Sequence, residues 1–279
     1  MSILSKLSII VLAALTTQCN FDWNGDKVSG EGPVVTKNLE IDDFSAIDVS
    51  NGWKVKLIPG QPAQMVVEAN ENLVDILKVE SSNGKLSISA EDNIGNADSK
   101  LIKVYFDKKL KSIEASSSSN IAAKKQLVFK STTIDASSSA DIKLNIQAED
   151  LEVEGASSAD IELTAKAATI RIDASSSADV NIEGEFKELK ADASSAADVY
   201  LSGSSKNADL EATSGSDIDA EDLKAKYIKA EVTSAGSIDC YPVDELDATA
   251  SSGGSVRYHN NPMKKVSSQS TSGGSVKRD

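Results

Sequence analysis

The chain has 279 residues, of which 40% are hydrophobic but only 4% aromatic, and a formal net charge of -14. Its core must therefore be filled by Ile, Val, Leu and Ala rather than by large rings. The charge argues against recognising nucleic acid or an anionic membrane by long-range electrostatics, and divalent cations or basic partners match it better.

In chain order, residues 1–19 form a separate unit, with Lys6 as its single charge, a mostly apolar run over residues 7–15, and then Leu15-Thr16-Thr17-Gln18-Cys19. This pattern predicts an exported protein with a cleaved signal peptide, because the apolar run is too short to span a bilayer as a helix. A cysteine here resembles the acylated residue of bacterial lipoproteins, although Gln18 stands where those carry a small residue. The expectation is a lipid anchor at Cys19 and a cell-envelope location, on an outer membrane facing periplasm or cell surface. Losing Lys6 with this segment takes the net charge from -14 to -15. The only other cysteine, Cys240, is then left without a partner; in Ser237-Ile238-Asp239-Cys240 strand alternation turns it inward as a small buried thiol.

Residues 20–32 are polar and carry Gly25, Gly30 and Gly32, which predicts a tether. Residues 33–112 alternate apolar and polar in several short runs, such as Ala46-Ile47-Asp48-Val49 and Met65-Val66-Val67-Glu68, and read as an N-terminal β region or cap. Within it, residues 70–77 predict a short helix opened by an Asn70 cap, and Asn83-Gly84 predicts a two-residue hairpin turn. Residues 47–55, IDVSNGWKV, match the motif of the array that follows and predict an outlying coil.

Residues 113–279 repeat themselves. Variants of IDASSSADV, residues 172–180, recur so that the residue before the last aliphatic falls at Asn120, Asp141, Asp160, Asp179, Asp198, Asp217, Ser237, Ser255 and Ser275. The steps between them are 21, 19, 19, 19, 19, 20, 18 and 20 residues. Such a period predicts an all-β fold, a parallel β-helix of about 20 residues per coil in which no coil can bury its apolar face alone. The next position is always aliphatic, from Ile121 through Val180 to Val276, and predicts the core. Ala115, Ala136, Gly155, Ala174, Ala193, Ala212, Val232 and Ala250 form a small-residue column where two walls meet. Glu114, Asp135, Glu154, Asp173, Asp192, Glu211 and Glu231 precede it and point outward.

Several of these residues also resemble the head GIN domain family, exported adhesin-like proteins found largely in the Bacteroidetes. The resemblance is carried by Gly30-Glu31-Gly32-Pro33-Val34-Val35, Phe44-Ser45-Ala46-Ile47-Asp48-Val49, Ile58-Pro59-Gly60-Gln61 and Asn83-Gly84-Lys85-Leu86-Ser87-Ile88. It continues in Gly253-Gly254-Ser255-Val256-Arg257-Tyr258 and Ser272-Gly273-Gly274-Ser275-Val276. It implies a right-handed β-helix, oligomeric and exposed on the cell envelope.

For function, five carboxylates at one level of the stack, Asp141, Asp160, Asp179, Asp198 and Asp217, stand out. Neighbours about 4.8 Å apart in water repel by about 1 kcal/mol. Either each Asp bonds the backbone or serines of its own turn, or the ladder gathers calcium, which takes several oxygen ligands. His259 is the only histidine, and in Tyr258-His259-Asn260-Asn261-Pro262 it reads as a turn residue. The expectation is a noncatalytic, envelope-anchored β-helix that acts as an adhesin or binding surface for a glycan or protein. One alternative is a self-assembling homo-oligomer, whose open last coil is blunted by Lys277 and Arg278. Another is a polysaccharide-active enzyme, disfavoured because 18- to 21-residue steps leave no room for cleft-building loops.

Overall fold

The computed structural model describes residues 27–107 and 109–279. The expected signal peptide, Cys19 and residues 20–26 of the expected tether lie outside them. The chain is 65% strand and 2% helix and forms a β-solenoid of about nine turns, roughly 19 residues per coil.

The N-terminal part contains β1 (Val34–Glu40), β2 (Ala46–Val49), β3 (Lys54–Pro59), β4 (Gln64–Asn70), the helical turn α1 (Glu71–Asp75), β5 (Leu77–Ser82), β6 (Lys85–Ala90) and β7 (Lys100–Phe106). Then come β8 (Ser112–Ala115), β9 (Asn120–Ala123), β10 (Leu127–Val128) and β11 (Ser131–Ala136). The regular array follows in β12 (Asp141–Gly155), β13 (Asp160–Ala174), β14 (Asp179–Ala193), β15 (Asp198–Ala212), β16 (Asp217–Val232) and β17 (Ser237–Ala250). The last coils are β18 (Ser255–Tyr258), β19 (Lys265–Ser270) and β20 (Ser275–Arg278).

Each long strand bends once. In β12 the inward residues Ile142, Leu144 and Ile146 belong to one wall and Leu151, Val153 and Gly155 to the next, with the alternation changing phase between them. The walls meet where the sequence places the small residues: a Cβ on Gly155 would lie 3.0 Å from Val180 and 3.4 Å from Ala178. The aliphatic column is in register across coils, Ile121 with Ile142, Ile142 with Ile161 and Ile161 with Val180. At the N-terminal end it runs on through Val55 and Ile102.

Two consecutive left-handed residues close each coil, as at Ser157 (φ 54°) and Ser158 (φ 60°), Ser176 (55°) and Ser177 (61°), or Ser195 (54°) and Ala196 (60°). This conformation costs about 1–2 kcal/mol for a residue with a Cβ. It turns the intervening peptide over, so that Ser158 donates forward to Ser176 O, whereas flanking amides such as Ser175 donate backward to Gly155 O. The turn thereby keeps its backbone groups paired between coils, which offsets the strain.

In the N-terminal region, residues 46–59 do form a coil: Ile47 pairs with Ile113 and Val55 with Ile121. The hairpin turn lies at Asn83 (φ 52°) and Gly84 (φ 75°), between the antiparallel strands β5 and β6. The order of coils is not the order of sequence. β6 and β7 stack on the outer side of β2 and β3, and the chain then crosses back to lay β8 and β9 on their inner side. Antiparallel strands finish the outer end, β5 against β6, β4 against β7 and β1 against β4.

Residues 27–32, assigned by sequence to the tether, pack against this end, where Val28 bridges Ile94 and Gly30 N–H donates to Asn96 O. The Asn70 side chain makes no cap bond to α1. It is buried instead, donating to Gly32 O and accepting from Ser99 N–H, because the entering chain and the loop before β7 both need a partner there.

Trp53 sits at the level that holds Ser119 one coil inward. It is fully buried and donates Nε1–H to Ser89 O at 3.0 Å, plugging the outer end of the core. Trp53→Ala should lower unfolding free energy by about 3–5 kcal/mol, read as a fall in the denaturant midpoint.

Candidate binding surface

The five predicted aspartates are brought together. Asp141, Asp160, Asp179, Asp198 and Asp217 pair one to the next in register, followed by Ser237. Their amides join the inter-coil ladder, Asp160 N–H donating to Ala140 O and Asp179 N–H to Ala159 O. Among the described residues their carboxylates make no hydrogen bond or ion pair, so the expected bonds to turn serines do not form, and the side chains stand out from the wall. Burial, followed by the charges of neighbouring aspartates, raises the pKa of Asp160 and Asp198. Among the described residues no three His, Cys, Asp or Glu side chains converge as a metal site.

A second acidic column is longer and better furnished. Asp48, Glu114, Asp135, Glu154, Asp173, Asp192, Glu211 and Glu231 pair in order, each on its own coil. Basic residues lace parts of it. Lys85 bridges Asp48 and Glu114, Arg171 bridges Asp173 and Asp192, and Lys229 reaches Glu231. Among the described residues Asp135 and Glu154, between the first two bridges, form no ion pair, and Lys85 and Arg171 reach them only through space. Burial first, then adjacent carboxylates, raises both their pKa values. For Glu114 the net shift is downward: burial works against it, but the bonds from Lys85 and Ser112 outweigh that.

This column forms one wall of a groove of about 490 Å³ that runs across the coils from Asp135 to Glu211. The opposite wall carries Ser137, Ser175, Ser194 and Thr213, and Gly155, Ala174 and Ala193 make the floor. Carboxylate acceptors therefore face hydroxyl donors and acceptors along the stack, the polar equipment that a hydroxyl-rich or cationic chain requires.

His259 lies just past β18, outside the strands as its turn reading expects, but acids that the sequence did not show surround it. Its Nε2 lies 3.2 Å from Asp239 and 3.6 Å from Glu221, and its Nδ1 is 3.4 Å from Asp279. These acids lie on other coils, about one or two repeats away, where motif spacing along the chain does not look. Cys240 is buried as expected, and burial pushes its thiol up to about 12.

The chain belongs to the family described as "putative auto-transporter adhesin, head GIN domain", whose model matches residues 43–184 and 164–262. No curated protein matches it. Solved structures share the fold, three of them as follows. A "putative adhesin" of Parabacteroides merdae is 21% identical with a TM-score of 0.69, over 91% of this chain and 99% of that one. A "putative lipid binding protein" of Parabacteroides distasonis is 20% identical with a TM-score of 0.69, over 91% and 99%. A second "putative adhesin" of Parabacteroides distasonis is 19% identical with a TM-score of 0.66, over 91% and 100%.

A carboxylate whose folded pKa is raised opposes folding once ionised, and that opposition disappears as pH falls through the raised value. Asp135, Glu154, Asp160 and Asp198 all act in this sense, whereas the lowered Glu114 favours folding above its unfolded pKa and loses that contribution on acidification. Asp135→Asn and Asp160→Asn together should raise the melting temperature at pH 7. They should also shrink whatever gain the wild-type chain shows between pH 7 and about pH 4.5, as thermal melts in low-salt buffer will show.

Proposed function

We propose that this chain is a noncatalytic, envelope-anchored adhesive surface, exported, held to an outer membrane through acylated Cys19, and binding a glycan or protein along the side of its solenoid. The observation that carries this reading is the groove with a carboxylate wall and a hydroxyl wall repeated from coil to coil. A ligand with its own repeat can meet equivalent groups at each step, so affinity grows with the number of coils engaged. The acids run parallel along the stack rather than converging in pairs, which fits binding better than hydrolysis. No described helix is long and apolar enough to cross a membrane, so attachment through the N-terminus is compatible with the described part of the chain.

A deletion strain should lose most whole-cell adhesion to surfaces bearing the glycan or protein that an array identifies. Re-expression should restore it, and Asp135→Asn/Glu154→Gln/Asp173→Asn should bind about tenfold more weakly, equivalent to about 1.4 kcal/mol. Unchanged adhesion of the deletion strain, with a silent array, removes the adhesive reading.

Self-assembly is the second reading, favoured by the C-terminal end. β19 pairs with β17 and β20 with β18, each along one edge, and Val266 is 41% exposed in β19. The N-terminal end is finished by antiparallel strands and the buried Trp53, so the two ends are unlike. Association through two C-terminal ends gives a closed two-fold pair rather than a fibre. Light scattering should show a monomer–dimer equilibrium that Val266→Lys shifts to monomer; a strict monomer at high concentration contradicts it.

A further inference from the structure

In this acidic chain five lysines gather around one cavity, which is built around a break in the period. Between Asn120 and Asp141 the step is 21 residues rather than 19. The excess can be located: Ala122 pairs with Lys143 and Leu127 with Ile146, so five residue steps on one coil span three on the next. The two extra residues bulge out as Lys124 and Lys125. At the same place β9 leaves its partner. Leu57 pairs with Ala123, but Ile58 and Pro59 have no β9 residue opposite them and pair only with Tyr105 and Phe106 on the other side.

The strands diverge there around a cavity of about 540 Å³, within the range of small-molecule sites. Leu57, Ile58, Pro59, Ala122 and Ala123 make its apolar surface, and Lys56, Lys103, Lys124, Lys125 and Lys143 surround it. Along the wall Lys103, Lys56, Ala122 and Lys143 stand on successive coils, so the short Ala122 leaves a gap between two ammonium groups. Lys103 is neutralised by Glu68 and Lys143 by Glu162. Lys56, Lys124 and Lys125 have no acidic partner among the described residues. The basic field extends beyond the cavity, since Lys100 has its pKa lowered by burial and then by Lys54 and Lys27.

Three lysines without a counter-charge around one cavity favour an anion there, and the apolar surface between them asks for more than a simple ion. We propose that this cavity is a binding site for a single anionic lipid molecule, its phosphate or carboxylate head held by Lys56, Lys124 and Lys125 and its acyl chain lying on the partly exposed Ile58, Pro59 and Ala123. The site lies on a different wall from the acidic groove and does not depend on the adhesive reading. Local charge, not the net charge of -14, governs it.

The test uses purified mature chain and three probes by titration calorimetry: dodecyl phosphate below its micellar concentration, inorganic phosphate, and dodecyl maltoside, which keeps the chain but not the charge. Dodecyl phosphate should bind at least about tenfold tighter than either of the others. Lys124→Glu/Lys125→Glu should weaken it by about tenfold or more with an unchanged melting temperature, while Lys224→Glu/Lys226→Glu, on a remote coil, should not. Ile58→Ser should weaken dodecyl phosphate and leave inorganic phosphate as it was. Equal affinity for inorganic phosphate, equal affinity for dodecyl maltoside, or indifference to Lys124→Glu/Lys125→Glu each overturns the proposal. Binding to phosphatidylglycerol vesicles but not to monomeric dodecyl phosphate also overturns it, because the lysines then meet a membrane surface.

Discussion

Register between coils is the constraint on which everything else depends. Because parallel strands about 4.8 Å apart pair residue for residue, each side chain has its counterparts in adjacent repeats as its nearest neighbours. Ile142 lies between Ile121 and Ile161, and Asp160 between Asp141 and Asp179. A residue that suits its position is therefore reinforced at every level, and one that does not is penalised repeatedly. Aliphatic residues gain most from this arrangement, since each buried methyl group meets another of the same shape. Charged residues gain least, since self-pairing on an outward column means repulsion.

The chain deals with that repulsion differently on its two acidic columns. On the column from Asp48 to Glu231, cations reach across neighbouring levels, as when Arg171 holds both Asp173 and Asp192. Exposed pairs like these are individually worth about 1 kcal/mol or less, so they neutralise the column rather than hold the solenoid together. The uncompensated stretch at Asp135 and Glu154, and the bare ladder from Asp141 to Asp217, keep their repulsion. The aliphatic columns behind them and the backbone ladder supply the stability that makes this tolerable. Such unneutralised acids cost stability and are the groups with most to gain from a ligand.

Periodic features were legible in the sequence because the fold is periodic. The aliphatic column, the small column through Gly155 and the outlying coil at residues 47–55 follow from aligning repeats, and the Asn83-Gly84 hairpin follows from local turn chemistry. Features set by packing between distant segments were not legible. Nothing local to residues 85–106 says that they stack outside residues 46–59 rather than between those residues and β8. Asn70 has the signature of a helix cap, but the entering strand and the loop before β7 compete for its side chain and win. The acids around His259 are invisible to motif spacing because the solenoid converts a separation of about one repeat into contact.

The irregular steps of the period carry the remaining information. A 20-residue coil after Asp217 places its extra residue in a register shift between β15 and β16, opposite Tyr200 to Ser202, and leaves the walls closed. The 21-residue coil places its two extra residues where β9 is already parting from β3, and there the wall opens. An insertion at a strand centre would unpair backbone on both sides, whereas one at a strand end unpairs little and creates concave surface instead. In a solenoid of nearly equal coils, a departure from the period at a strand end is therefore the place to look for a site that the repeats themselves do not provide.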